Sequence, residues 1–175
     1  MNTLNEIRFD DKDLFFNDNV VKTSILPQGT KDLKRNIKVQ ANSVFEGSVF
    51  GNNVEIEDGG VIFKGAVFAN TELHVGTDVS GTVKFNKAVA GAQSIAALVV
   101  KGRVLFCSDV NAPTVRLKNC YIGGSVFGNE EDYVGGLVGY NDADGTIDVD
   151  YTLIGGSVFA SGDCAGGLAG LNASS

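Results

Sequence analysis

The chain has 175 residues, a net charge of −7, and 23 glycines against 2 prolines, with no tryptophan. A hydrophobic share of 43% excludes wholesale disorder, and dispersed glycine without a strict spacing of three excludes collagen. The acidic balance argues against a nucleic-acid partner, whose phosphates need clustered Lys and Arg.

Met1 to Arg8 has no basic leader followed by an apolar run, and no apolar stretch reaches the ~18–20 residues of a membrane span. This predicts a cytoplasmic protein if Met1 is the natural start, and a cell-surface fragment if a leader has been trimmed. Residues 1–38 do not follow the pattern that comes later. Leu14-Phe15-Phe16 and Val20-Val21 sit among Asp and Asn, Ser24-Ile25-Leu26-Pro27 ends a short extended run, and Lys31 to Lys38 is locally basic. One or two short strands and a polar loop are expected here. They would form an N-terminal extension or cap, because solenoids need polar terminal elements to close their cores.

From Val39 apolar residues arrive in pairs about six apart, as in Val44/Phe45, Val49/Phe50, Val54/Ile56 and Val61/Ile62, with Gly, Asn, Asp, Glu and Thr between. Short β-branched and aromatic runs bounded by Gly and Asn are strand signals. One unit keeps returning. Gly47-Ser48-Val49-Phe50 recurs as Gly65-Ala66-Val67-Phe68, Gly124-Ser125-Val126-Phe127 and Gly156-Ser157-Val158-Phe159, with looser copies at Gly81-Thr82-Val83 and Gly102-Arg103-Val104. The steps from Gly47 to Gly65 and from Gly65 to Gly81 are nearly equal, and each has room for three short strands per turn, the arithmetic of a parallel β-helix.

The expected fold is therefore all-β, a parallel β-helix (β-solenoid) over residues 39–175, with regular coils over 39–118. Successive coils put like beside like at about 4.8 Å. Val49, Phe50, Val67, Phe68, Val126, Phe127, Val158 and Phe159 are predicted to form internal core ladders. The step from Gly81 to Gly102 is longer than the earlier ones. Its excess is the Ala-rich segment Ala88 to Ala97, which reads as a bulging corner or short insertion able to form a helical turn.

Residues 119–175 carry a duplication. Ile122-Gly123-Gly124-Ser125-Val126-Phe127 returns from Ile154, and Gly135-Gly136-Leu137-Val138-Gly139-Tyr140-Asn141 returns from Gly166. One supersecondary unit has been copied, with a single residue deleted.

The residues that could carry chemistry read as architecture. His74 is the single histidine, and alternation puts Leu73 and Val75 inside and His74 outside. The sharper reading, a catalytic histidine between subunits as in hexapeptide acyltransferases, needs a tighter repeat than this chain has. Gly135 to Gly139 lacks G-x-G-x-x-G spacing. The Asn141-Asp142-Ala143-Asp144-Gly145 loop lacks the carboxylates an EF-hand frame needs, since Tyr140 and Tyr151 occupy its first and twelfth positions. Glu55, Glu57 and Asp58 read as a solvated face. Cys107, Cys120 and Cys164 have no C-x-x-C spacing and read as buried reduced thiols. Asn172-Ala173-Ser174 is a formal glycosylation sequon. No catalytic residue, cofactor site or metal site is predicted.

Residues from about Ile25 to Gly128 resemble the bactofilins, on Val44-Phe45-Glu46-Gly47-Ser48-Val49-Phe50-Gly51-Asn52-Asn53-Val54-Glu55-Ile56 and the copies at Gly65 and Val79. The resemblance implies a right-handed parallel β-helix that polymerises end to end without nucleotide and often associates peripherally with membranes. The longer N-terminal segment and the glycine-rich C-terminal duplication depart from it. That duplication is similar to the GLUG repeats of bacterial surface proteins, through Asn119-Cys120-Tyr121, Gly135 to Asn141 and Gly145-Thr146-Ile147.

The expected function is a structural, self-assembling scaffold whose partner is itself. An adhesive or binding module of a surface protein is the alternative.

Overall fold

Val, Ile, Leu and Phe alternate with polar residues in runs of two to five, and each run forms a short strand whose apolar residues face one way. In a computed structural model these strands wind into a β-solenoid. The structure describes residues 12–112 and 115–123, and beyond them the strand backbones 8–9, 114, 126–128, 133–135, 138–141, 148–150, 153–154, 158–160, 164–166 and 169–172.

Three parallel sheets form the walls. The first stacks Asp13–Phe16, Asn36–Val39, Val54–Ile56, Glu72–Val75, Ser94–Leu98, Thr114–Lys118 and Asp148–Asp150. The second stacks Val20–Val21, Val44–Phe45, Val61–Phe63, Thr82–Phe85, Arg103–Phe106, Cys120–Ile122 and Leu153–Ile154. The third stacks Val49–Gly51, Val67–Ala69, Val89–Gly91 and Val110–Asn111, with Ile25 bridging to Val49. An all-β solenoid is thus the architecture.

Like lies on like inside it. Leu14, Ile37, Val54, Leu73, Ile95 and Val115 form one buried column of the first sheet. The second sheet carries an aromatic column in which Phe45, Phe63, Phe85 and Phe106 are fully buried. Their centroids are 4.7, 4.9 and 5.0 Å apart and their planes within 9° of parallel. Those spacings match the distance between strands, so one backbone register sets both the hydrogen bonds and the ring stack. Each buried ring or branched chain contributes about 1.5–3 kcal/mol from leaving water.

At four of its crossings the turn from the first sheet to the second has a shared signature. Asp18, Asn42, Gly60 and Asn119 occupy it, with φ of 53°, 45°, 74° and 55°. Asn and Asp tolerate the left-handed region better than other side chains, and glycine enters it freely.

Four expectations are corrected. Val49 and Val67 lie in the core as predicted, but Phe50 and Phe68 do not: with Val49 inward, alternation turns Phe50 out, and Phe68 is 39% exposed. Second, Gly81 and Gly102 are not copies of Gly47 and Gly65. Val83 pairs with Val61 and Val104 on the second sheet, and Gly81 stacks on Gly59. The true partner of Val67 in the next coil is Val89. Third, Ala88 to Ala97 holds two strands, Val89–Gly91 and Ser94–Leu98, which pair in parallel with the coils on either side; the first alternates, and the second buries Ile95, Ala96 and Ala97 in succession. Fourth, the coil begins at Asp13 rather than Val39, since Asp13–Phe16 and Val20–Val21 already pair in parallel with the next turn.

The duplication stacks on itself in register. Val126 pairs with Val158, Phe127 with Phe159, Tyr133 with Cys164, and Tyr140 with Leu171. The side chains of the predicted ladder residues Val126, Phe127, Val158 and Phe159 lie outside the described residues.

Candidate assembly surfaces

The chemistry-bearing side chains are dispersed over the coil. His74 projects outward between buried Leu73 and Val75, its Nδ1 3.7 Å from Glu72. Glu55 faces out beside Lys38, 3.8 Å away. Lys38 also meets Asp13 at 3.3 Å and lies 5.7 Å from the centre of the Phe15 ring. The hydrogen bond to Asp13, then the charge of Glu55, holds the Lys38 ammonium above its usual value.

Asp58, on the solvated face, also serves as a corner clamp. It accepts from the Gly59 N–H at 2.7 Å, the Ser80 N–H at 2.9 Å and the Ser80 hydroxyl at 3.0 Å, tying one coil to the next. The Ser80 backbone bond, with the Gly59 and hydroxyl bonds, pulls its carboxyl below the usual value.

Cys120 is buried and donates to the carbonyls of Lys118 and Ala97, and burial pushes its thiol up to about 12. Cys107 corrects the expectation of burial. It follows inward-facing Phe106 at the start of a corner and is exposed. Cys164 has no described side chain. Among the described residues, no group of three or more His, Cys, Asp or Glu is placed to hold a metal ion. No helix among them is long and apolar enough to cross a membrane.

What the structure concentrates in one place is the N-terminal end. Val21 holds the position above Phe45 in the second sheet, yet the ring covering Phe45 is Phe16, from the first sheet. Phe16 lies edge-on at 5.1 Å and 75°, so its edge closes the aromatic stack where every ring below lies flat. Beside it the column of buried Val61, Val83 and Val104 gives way to Ser43 and Asn19, the buried polar residues of the described core. Ser43 Oγ accepts from the Asn19 N–H at 3.2 Å and donates to the Ala41 carbonyl at 2.9 Å. The core therefore ends in a satisfied polar layer.

The strand edges at this end are treated unequally. Arg8–Phe9 pairs antiparallel with Leu14 and Phe15, covering the outer edge of the first sheet. In the second sheet, Val20–Val21 is the terminal strand among the described residues. In the third, Ile25 adds a single bridge. In this coil Val20 is 51%, Leu26 50% and Leu33 42% exposed, and farther along the chain Val100 is 60% exposed.

Sequence reasoning missed two further features. Phe50 and Phe68 stack outside the third sheet at 5.3 Å, flooring a groove of about 260 Å³ with Leu26, Ala66, Ala88 and Ala90. An asparagine ladder runs along the third corner: Asn52 donates to Asn36 at 3.4 Å, and Asn70 donates to Asn52 at 3.3 Å. The sequence carries its signal, because Asn follows both Val49-Phe50-Gly51 and Val67-Phe68-Ala69.

The fold and its surfaces define the chain as a parallel β-solenoid with a closed core and, among the described residues, partly open strand edges at its first coil. Compared with known proteins, it matches no family model, no curated protein and no solved structure.

Proposed function

We propose that this protein is a structural scaffold that associates with copies of itself through the ends of its solenoid, building nucleotide-independent polymers. The observation that carries the reading is the uneven first coil. Among the described residues, Val20–Val21 ends the second sheet, the single bridge of Ile25 leaves most of Val49–Gly51 as the last strand of the third, and Val20, Leu26 and Leu33 of this coil are exposed. An uncovered parallel edge offers N–H and C=O groups to any strand that can lie about 4.8 Å away. A second copy is well matched to it, because every coil here already accepts its like. A head-to-tail contact of this kind extends into a filament, and a two-fold contact closes into a dimer. The resemblance to the polymer-forming bactofilins agrees with this reading. In it His74 is a surface residue with no role in acyl transfer.

The test is light-scattering chromatography with negative-stain microscopy of the purified chain over a range of concentrations and salts. Concentration-dependent dimers or rods are expected. Monodisperse monomers throughout would overturn the reading.

The Phe50–Phe68 groove favours a second reading, a binding module of the surface-protein type. Stacked, partly exposed rings beside alanines can take up an apolar or aromatic segment of a partner. That reading locates function on a lateral face. It predicts that Phe50→Ser with Phe68→Ser abolishes partner capture while leaving self-association intact.

A further inference from the structure

The first coil carries a contradiction that the scaffold reading alone does not resolve. Its core is sealed, by Phe16 turned edge-on and by the Asn19–Ser43 polar layer, while two of its three strand edges stand open among the described residues. A coil that only had to terminate the fold would have its edges blunted throughout, by charge, proline or a covering segment. Here one edge alone is covered, and the covering strand is unlike the other pairings of the described strands: Arg8–Phe9 is antiparallel, on a solenoid whose other ladders are parallel. Arg8–Phe9 stands at the end of its sheet and, among the described strands, pairs with Asp13–Phe16 alone, so a competing strand has one ladder to replace.

We propose that the Arg8–Phe9 strand is a displaceable edge guard, which occupies the pairing edge of Asp13–Phe16 and so limits how a second copy of this chain can add to the first coil. The inference rests on the self-association reading above and adds its regulation. An incoming parallel strand needs the same backbone groups of Asp13–Phe16 that Arg8–Phe9 uses. With the guard in place a second copy can engage the second and third sheets only, through Val20–Val21 and Ile25. With the guard displaced, the edge of the first sheet becomes available as well, and the contact gains the four-residue strand Asp13–Phe16, against two residues in Val20–Val21. Exposed Val20 lies on the terminal strand of the second sheet, beside that contact.

The experiment uses the full-length chain. Arg8→Pro with Phe9→Pro removes both backbone donors of the guard, so the antiparallel pair cannot form. Its mass distribution by light-scattering chromatography and its appearance by negative stain are compared with the parent at matched concentrations, with far-UV circular dichroism recorded on each. The expected result is an unchanged β spectrum with an average mass raised at least about twofold. Val20→Lys, added to the double variant, places a charge on the terminal strand of the second sheet, which the guarded contact also uses, and should bring the mass to the parental value or below it.

Equal masses for parent and double variant would overturn the guard while leaving self-association standing. Monomers in both would overturn guard and scaffold together. Assemblies that Val20→Lys does not reverse would be aggregation and would also overturn the guard. So would loss of the β spectrum, which would make the strand a requirement for folding.

Discussion

Removing the Phe63 ring tests the inner aromatic column against the outer pair. Phe63 is fully buried, 4.7 Å from Phe45 and 4.9 Å from Phe85. Truncation to Ala deletes the transfer energy of the ring and leaves a cavity that the flanking coils, fixed at strand spacing, cannot close; Phe→Ala in such a site costs about 3–5 kcal/mol. Losing two stacked contacts puts Phe63→Ala near the top of that range, about 5 kcal/mol. Phe68→Ala also removes a stacked ring, at 5.3 Å from Phe50, but it opens a groove to water and creates no enclosed void. Its cost is one stack and a partial burial, about 1–2 kcal/mol. Because total stability of a domain is about 5–15 kcal/mol, the first substitution should leave the fold marginal and the second should not. Urea unfolding followed by far-UV circular dichroism, with midpoints compared at constant slope, measures both. Equal costs for the two substitutions would refute the assignment of inner and outer ladders.

Four further outcomes follow from corners, charged groups and thiols. Gly59→Ala would put a methyl 2.5 Å from the Gly81 Cα and 2.6 Å from its nitrogen, so the coils must part. An overpacking cost of about 1–3 kcal/mol should appear as a lowered melting temperature, while Gly29→Ala, with nothing near its new methyl, should lie within about 0.5 kcal/mol of the parent. Asp58 ionises more readily folded than unfolded, so its contribution is present above the usual 3.8 and is lost as pH falls through the lower folded value. Asp58→Asn should therefore melt with a flatter acid limb than the parent below about pH 4, read by thermal scans in a pH series. Lys38 runs the opposite way. Its raised folded value makes its contribution full below the usual 10.5 and lost as pH climbs through the folded value, so Lys38→Met should flatten the alkaline limb. Finally, alkylation mapped by mass spectrometry should label exposed Cys107 promptly and buried Cys120 on unfolding alone. Equal labelling rates in the native protein would contradict the placement of the two thiols.

The solenoid is legible in the sequence because its signal is local. Val-x-Phe and Val-x-Ile runs bounded by Gly and Asn identify strands without knowledge of their partners, and the copied block after Cys120 carries its own register. Which strands stack is harder to read. A repeated tetrad with glycine first looks like one corner, whereas Gly47 and Gly65 lie before the third sheet, and Gly59 and Gly81 face each other before the second. Glycine is demanded at both for the same reason, close backbone approach between coils, so the residue type does not tell the corners apart. Hydrophobicity alone misleads about facing. Phe50 and Phe68 look like core residues because they are large and apolar, but period-two alternation with Val49 and Val67 decides orientation, and a three-residue strand cannot bury adjacent side chains on one wall. The N-terminal end is the least legible. Leu14-Phe15-Phe16 carries no repeat, and its place as a first coil depends on pairing with the distant Ile37-Lys38-Val39.

The duplication shows how such a coil can change size without losing its axis. Through Asn111 the third sheet recurs at nearly even steps, from Val49 to Val67, Val89 and Val110. The copied unit, measured from Val126 to its partner Val158, is longer than any of these steps and too long for the same triangle. The first and second sheets nevertheless continue through it: Leu117 pairs with Val149, and Ile122 with Ile154. The break falls on the third wall, where Val126–Gly128 pairs with Val158–Ala160 in a sheet separate from the one that ends at Val110–Asn111. The added length forms two further stacked pairs, Tyr133–Gly135 on Cys164–Gly166 and Val138–Asn141 on Ala169–Asn172. Two walls thus carry the register from the narrow coils into the wide ones, and one wall absorbs the insertion. A wall that can be replaced while the other two hold register is the least constrained face of the solenoid. It is also the face on which Phe50 and Phe68 are displayed, so variation in a binding surface there would leave the assembly axis intact.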